Sequence, residues 1–242
     1  MRLCASAMNA ENLAGRIAVV TGALGNLGPV WCAALADAGA TVVGLDVRED
    51  DGVVPADVTD RDALERVLAD VGTPAILVNN AGIDAPPGGD EGDFGRTLDV
   101  NVTGVYNASQ VFGEAMCEAG GGSIVNIGSL YASLAPIPSL YDHIEPPFTK
   151  PAAYGASKAA VVNLTRYFAR LWGPYGVRVN ALSPGGVRGG QDEEFVRKYS
   201  ERVPLGRLAE PRDLVGALLF LTSDASAYVT GQELRVDGGF TA

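Results

Sequence analysis

Residues 16–28 read RIAVVTGALGNLG, a β-branched run that stops at Gly22, Gly25 and Gly28. The run is short and continuously apolar, as in a strand buried on both faces of a parallel sheet. Behind it, Val30, Ala33, Ala34 and Ala38 recur at helical spacing over residues 28–38. A strand, a glycine turn and a helix start, in that order, open a βαβ unit. Glycines let a backbone approach an anion closely, and the helix start offers unpaired N–H groups and the positive end of a dipole. A tight turn alone would need the same glycines, so the residues beyond the turn decide between an anion cradle and a plain turn.

The alternation continues along the chain. Strands are predicted at 41–46 (TVVGLD), 75–79 (AILVN), 123–128 (SIVNIG), 177–182 (VRVNAL) and 232–236. Helices are predicted at 61–71, 94–119, 152–172, 192–201 and 211–223, with Pro211 in a favoured first-turn position. The expected fold is α/β: one Rossmann-type doubly wound parallel sheet in three αβα layers, over residues 13–242. An N-terminal tail, 1–12, is expected to be poorly ordered. With 242 residues, 47% of them hydrophobic, one core suffices and no linker divides the chain.

A net charge of −11 argues against a nucleic-acid partner, which needs a basic face, and against anionic membranes. No apolar run reaches membrane-spanning length, and residues 1–12 lack the pattern of a signal peptide. Cys4, Cys32 and Cys117 are scattered and odd in number, as suits reduced thiols in the cytoplasm rather than a disulfide framework or a metal site.

Two clusters carry chemistry. Asp46 closes the second strand 24 positions after Gly22, where a carboxylate can accept hydrogen bonds from an adenine-side ribose and would repel a 2′-phosphate. NAD is therefore expected over NADP, although Arg48 lies two residues on. Tyr154 and Lys158, four apart on a helix, project from one face. An ammonium there is expected to lower the tyrosine pKa and make it a usable acid or base. Ser129, after the fourth strand, can hold the reacting oxygen.

These pieces, TGALGNLG (21–28), NNAG (79–82), LDVNVTG (98–104), SIVNIGS (123–129), YGASK (154–158) and VRVNALSPGG (177–186), occur in an order that resembles the short-chain dehydrogenase/reductase family. The resemblance runs from Thr21 to Asp237-Gly238-Gly239. It implies hydride transfer between nicotinamide and an alcohol or carbonyl group. Tyr154 would act as acid/base, Ser129 as positioner, Lys158 as ribose ligand and tuner, and Asn101 as holder of a proton-relay water. It implies cofactor contacts from Gly22, Leu24, Gly25, Asn26, Leu27, Gly28, Asp46 and Val47. It implies others from Asp57, Val58, Asn80, Ala81, Gly82, Tyr154, Lys158, Pro184, Gly185 and Val187. Substrate contacts are expected from Ser129, Tyr131, Tyr141, His143, Tyr154 and Gly186, with no metal. A homodimer or homotetramer is implied, through helices 94–119 and 152–172.

The match departs from the family at three places. Asn26 stands where shorter members carry glycine; asparagine tolerates a left-handed backbone better than most residues, so cofactor binding is expected to survive the change. Gly189 replaces a frequent threonine. Ser129 and Tyr154 lie 25 residues apart, about twice the usual family separation, so residues 134–151 form a proline-rich insertion. That insertion is read as a loop over the substrate mouth or a subunit contact, and 190–201 as a flap. A similar insertion in sugar-linked members suggests a polyol, sugar or nucleotide-sugar substrate. The alternatives are an epimerase or dehydratase that retains its NAD, and a silent dinucleotide binder.

Overall fold

The computed structural model describes residues 12–85 and 93–242. Apart from Asn12, the expected tail lies outside these residues. In chain order the elements are β1 (Ile17–Thr21), α1 (Gly28–Asp37), β2 (Thr41–Asp46), β3 (Val53–Pro55), α2 (Arg61–Val71), β4 (Ile76–Asn79) and α3 (Phe94–Leu98). They continue with α4 (Gly104–Glu118), β5 (Gly122–Ile127), α5 (Ala152–Trp172), β6 (Val177–Pro184), α6 (Glu193–Ser200), α7 (Val215–Thr222) and β7 (Glu233–Val236).

The seven strands form one parallel sheet in the order β3-β2-β1-β4-β5-β6-β7. Alternate side chains of β1 feed opposite faces, as strand geometry demands. Val19 joins a core with Leu64 of α2, Phe112 and Met116 of α4, and Phe168 and Trp172 of α5. Ala18 and Val20 join a second core with Trp31 and Leu35 of α1 and Leu218 and Leu221 of α7. Strand order reverses between β1 and β4, and the crevice at such a switch point is the standard ligand position of open α/β sheets.

Two elements differ from the sequence reading. β3 is an additional strand of three residues at the sheet edge, where Pro55 is tolerated because no further strand needs its N–H. The predicted helix at 94–119 is interrupted by a π-turn, Asp99–Thr103. This turn points Asn101 into the interior, where its Nδ2 donates to the Ile83 carbonyl and to Ser157 Oγ, 2.9 Å each. No helix among the described residues is long and apolar enough to cross a membrane.

A third, smaller core sits above the carboxyl ends of the strands. Leu140 and Tyr141 of the 134–151 insertion pack with Tyr199, Val203 and Leu208, supported by Phe148, Phe195 and Phe240. Phe240, near the chain end, stacks on Tyr199 at 4.8 Å between ring centres.

Candidate active site

One cleft of about 1130 Å³ runs along the carboxyl edge of the sheet, lined from Asp46 at one end to Tyr154 and Tyr199 at the other. Its floor begins at the glycine turn. Gly22 has a φ of +65°, and a Cβ there would meet the Ala81 backbone at 2.7 Å. A Cβ on Gly28 would lie 2.3 Å from the Gly22 carbonyl oxygen. Asn80 braces the turn: its Nδ2 donates to the Gly22 carbonyl at 2.8 Å, while its Oδ1 accepts Trp31 Nε1–H at 2.9 Å. Thr21 Oγ1 accepts the N–H groups of Asn80 and Ala81, fixing β4's end beside β1.

Asn26 needs no left-handed backbone, because among the described residues only glycines have positive φ. Asp46 is buried. Its Oδ2 accepts the Leu24 N–H at 3.0 Å, and its Oδ1 accepts N–H and Nε–H of Arg48 at 3.1 Å each. Burial alone would raise its pKa; the Arg48 and Leu24 hydrogen bonds and the Arg48 charge outweigh burial and hold it below the usual carboxylate value.

Gly22, Gly25, Asn26, Leu27, Val47, Asp57, Val58, Ala81, Gly82, Pro184, Gly185 and Val187 all line the cleft. Leu24 and Gly28 do not: the first orients Asp46 through its N–H, and the second starts α1. A backbone cradle too tight for side chains, a helix start and a buried carboxylate fit a dinucleotide's pyrophosphate and ribose.

At the other end, α5 starts after Pro151, whose fixed φ suits a chain entering a helix. Its first turns carry Tyr154 and Lys158. Lys158 is 5% exposed, and its Nζ donates to the Ile127 carbonyl at 2.8 Å and stands 5.6 Å from the Tyr154 ring centre. Burial lowers the Lys158 pKa to about 8, with Asp84 opposing. The expected lowering of the Tyr154 pKa is reversed here. Burial, then the Asp84 charge and Tyr131, push the phenol up, and the Ser129 hydroxyl only partly offsets them. A buried phenolate costs more than the lysine, turned toward Ile127, returns.

Ser129 is buried, its Oγ accepting the Tyr131 N–H at 3.2 Å. Tyr131 lies edge-on to Tyr154 with 6.4 Å between centres, and its hydroxyl is 3.4 Å from that of Tyr141. Asn101 also accepts the Ile83 N–H at 2.7 Å, and is fully buried. Gly186 lines the cleft, and its N–H donates to the Tyr199 hydroxyl.

Of the expected substrate contacts, His143 is the one the structure does not bring into the cleft, and Asn101 lies beneath the lining rather than in it. His143 Nε2 is 2.8 Å from Asp192, at the start of α6, and Nδ1 is 3.2 Å from Lys198 Nζ. The ring ties the insertion to the flap and is spent on that contact. At Gly189 the N–H donates to Gln191 Oε1, and Gln191 Nε2 donates to the Val187 carbonyl, both at 2.8 Å. Sequence reasoning passed over Gln191, Asp84 and Lys150, all of which line the cleft. No motif marks them; only the folded chain brings them there.

A family model described as enoyl-(acyl carrier protein) reductase matches residues 22–241. The chain is 37% identical to the galactitol 2-dehydrogenase (L-tagatose-forming) of Cereibacter sphaeroides, across 95% of this chain and 96% of that one. Among solved structures, a gluconate 5-dehydrogenase from Burkholderia cenocepacia in complex with NADP and tartrate superposes with a TM-score of 0.84 and 33% identity, covering 96% of this chain and 97% of the other. A short chain dehydrogenase from Leptospira borgpetersenii with bound NAD+ superposes with a TM-score of 0.87 and 33% identity, covering 100% and 98%.

Proposed function

The chain belongs to the short-chain dehydrogenase/reductase family of NAD(P)-dependent oxidoreductases, and from that premise we propose that it interconverts a secondary alcohol and a ketone on a polyol or sugar, using NAD. The observation that supports this most is the single cleft joining a buried Asp46 to Tyr154, Ser129 and Lys158.

When bound, the dinucleotide supplies the hydride acceptor or donor and, in its oxidised form, a positive charge near the reacting centre. In oxidation Tyr154 takes the hydroxyl proton of the substrate, and in reduction it returns that proton to the carbonyl oxygen. Ser129 holds the reacting oxygen in line with Tyr154. Lys158, anchored by the Ile127 carbonyl, presents its remaining N–H groups to the cofactor side. Asn101, locked by Ile83 and Ser157, holds the π-turn beside Gly82 and orders the path by which the proton leaves. Burial raises the Tyr154 pKa and keeps the phenol protonated in the dinucleotide-free protein.

The Asp46 carboxylate, held by Leu24 and Arg48, favours a ribose diol over a 2′-phosphate by charge repulsion. The −11 charge and scattered cysteines suit the cytoplasm. Tyr106, Tyr167 and Leu171 form an exposed apolar face on α4 and α5, suited to self-association across a two-fold axis. The insertion and α6 form a lid over the alcohol end.

A panel of polyols and sugars, read as NADH absorbance, tests the activity. Tyr154→Phe is expected to lower kcat by 100-fold or more while NADH affinity, measured by fluorescence titration, stays within about threefold. Unchanged turnover in that variant would remove the acid/base assignment. Asp46→Ala is expected to raise KM for NAD more than for NADP, by about tenfold in their ratio; a ratio that does not move sinks the cofactor preference.

A further inference from the structure

Two ammonium groups stand beside the Tyr154 ring, and the mechanism uses one. Lys158 rises from the sheet side. Lys150 comes from the insertion, with its Nζ 5.3 Å from the Tyr154 ring centre and 5.9 Å from that of Tyr131. Its side chain is only 7% exposed, and its Nζ donates to Asp84 Oδ2 at 2.7 Å. Asp84 follows β4, and its Oδ1 also accepts the Ala85 N–H at 2.9 Å. Both residues line the cleft. Two separate segments set this placement. Lys150 precedes Pro151 at the start of α5, four residues ahead of Tyr154, while Asp84 lies five residues beyond β4, whose end supports the cofactor turn.

With Lys150 buried and Asp84 39% exposed, the ion pair gains little as a loop brace, because solvent screens the carboxylate. It does have a use in recognition. Among the described residues, one N–H of Lys150 is committed to Asp84 and two remain, while the Asp84 oxygens retain lone pairs beyond those the Lys150 and Ala85 donors occupy. A rigid donor and a rigid acceptor side by side match adjacent hydroxyls, each of which both gives and takes a hydrogen bond. A carboxylate reaching for Lys150 would instead meet Asp84 on the same nitrogen, like charge against like.

The geometry points to Lys150 and Asp84 as a specificity pair that reads a hydroxyl next to the reacting carbon of a neutral polyol or sugar and rejects the corresponding sugar acid. This deepens the polyol-or-sugar reading above and rests on it. Tyr131 and Tyr141, whose hydroxyls meet at 3.4 Å, wall the same corner and add a further donor and acceptor. Asp84 also acts on the chemistry: its charge is one of the influences that keep Tyr154 protonated.

The test compares kcat/KM for three substrates with NAD: a hexitol, the aldonic acid of the same chain configuration, and 2-butanol, which has no neighbouring hydroxyl. Wild type is expected to prefer the hexitol over the aldonate by tenfold or more. Lys150→Met should lower kcat/KM for the hexitol at least tenfold further than for 2-butanol, with Lys150→Arg restoring part of the loss. Asp84→Asn, which releases the Lys150 charge, should narrow the hexitol-to-aldonate ratio or invert it. Equal losses on all three substrates in both variants, as a loop brace alone would give, overturn the proposal. So does a wild type that accepts the aldonate as well as the hexitol while oxidising 2-butanol, an outcome that leaves the oxidoreductase reading standing. A wild type silent toward every alcohol overturns both.

Discussion

Lys158 holds a mostly buried ammonium in the floor of the cleft. Its pKa of about 8 in the folded protein lies below the ordinary lysine value of 10.5. Below pH 8 both states carry the proton, and the fold bears the full desolvation cost. As pH rises from 8 toward 10.5 the folded state releases the proton first, so this contribution to instability fades. Replacing the charge should therefore stabilise the dinucleotide-free protein at neutral pH. A shift of this size corresponds to about 3 kcal/mol, reduced by about 1 kcal/mol for the orphaned Ile127 carbonyl. Lys158→Met is expected to raise urea stability at pH 7 and to lose most of that advantage by pH 10, while abolishing turnover. A variant less stable than wild type at pH 7 would contradict the assignment. At the same scale, Tyr154, Lys158, Ser129 and Asn101 were legible in sequence because short motifs fix their spacing. The direction of the Tyr154 shift was not, because it depends on where the Lys158 nitrogen turns and on the Asp84 carboxylate, which is 70 residues from Tyr154 in the chain.

The insertion and α6 act as one element although about 40 residues separate them in the chain. Two kinds of contact join them. Lys198 reaches Asp142 and His143, His143 reaches Asp192, and Arg202 donates to Ser139 at 3.0 Å. Beneath these, Tyr141 meets Phe148 and Phe195 at 5.2 and 5.4 Å between ring centres, and Leu140 is fully buried. Surface ion pairs contribute about 0–1 kcal/mol each, whereas truncating a buried leucine costs about 2–5 kcal/mol. Packing should dominate. Leu140→Ala is expected to raise KM for the alcohol at least tenfold with KM for NAD within threefold, and Lys198→Ala to change either by less than threefold. Initial-rate kinetics showing the reverse order would mean that charge holds the lid. The central strands were readable because short apolar runs rich in Val and Ile, bounded by glycine and polar turns, mark buried strands. Val53–Pro55 was not, being three residues long with a proline and no alternation to detect. The Asp99–Thr103 π-turn was hidden for the opposite reason: its apolar spacing continues that of α4, and only Asn101's partners reveal the extra residue.

On the scale of the whole molecule, the outer face of α4 and α5 has no neighbour among the described residues. Tyr167 is 56% exposed and Leu171 45%, four residues apart on α5, and Tyr106 of α4 lies beside them across Phe168. Beneath the face, Phe168 stacks on Trp172 at 4.2 Å, so the surface rests on a rigid layer. Large aromatic groups on a preformed surface suit a symmetric contact. Tyr167→Glu is expected to convert an assembled species to the 25.0 kDa chain, read by size-exclusion chromatography with light scattering. Wild type already at that mass would remove this face as a subunit contact.

Phe240 links the segment after β7 to the rim of the cleft. Its ring backs Tyr199, whose hydroxyl receives the Gly186 N–H at the rim of the cleft. A stop codon in place of Phe240 would leave the glycine turn and Asp46 untouched and withdraw the ring that backs Tyr199. An affinity handle fused after this segment would hang from the same rim, so turnover measured on such a fusion would report the tag as well as the enzyme.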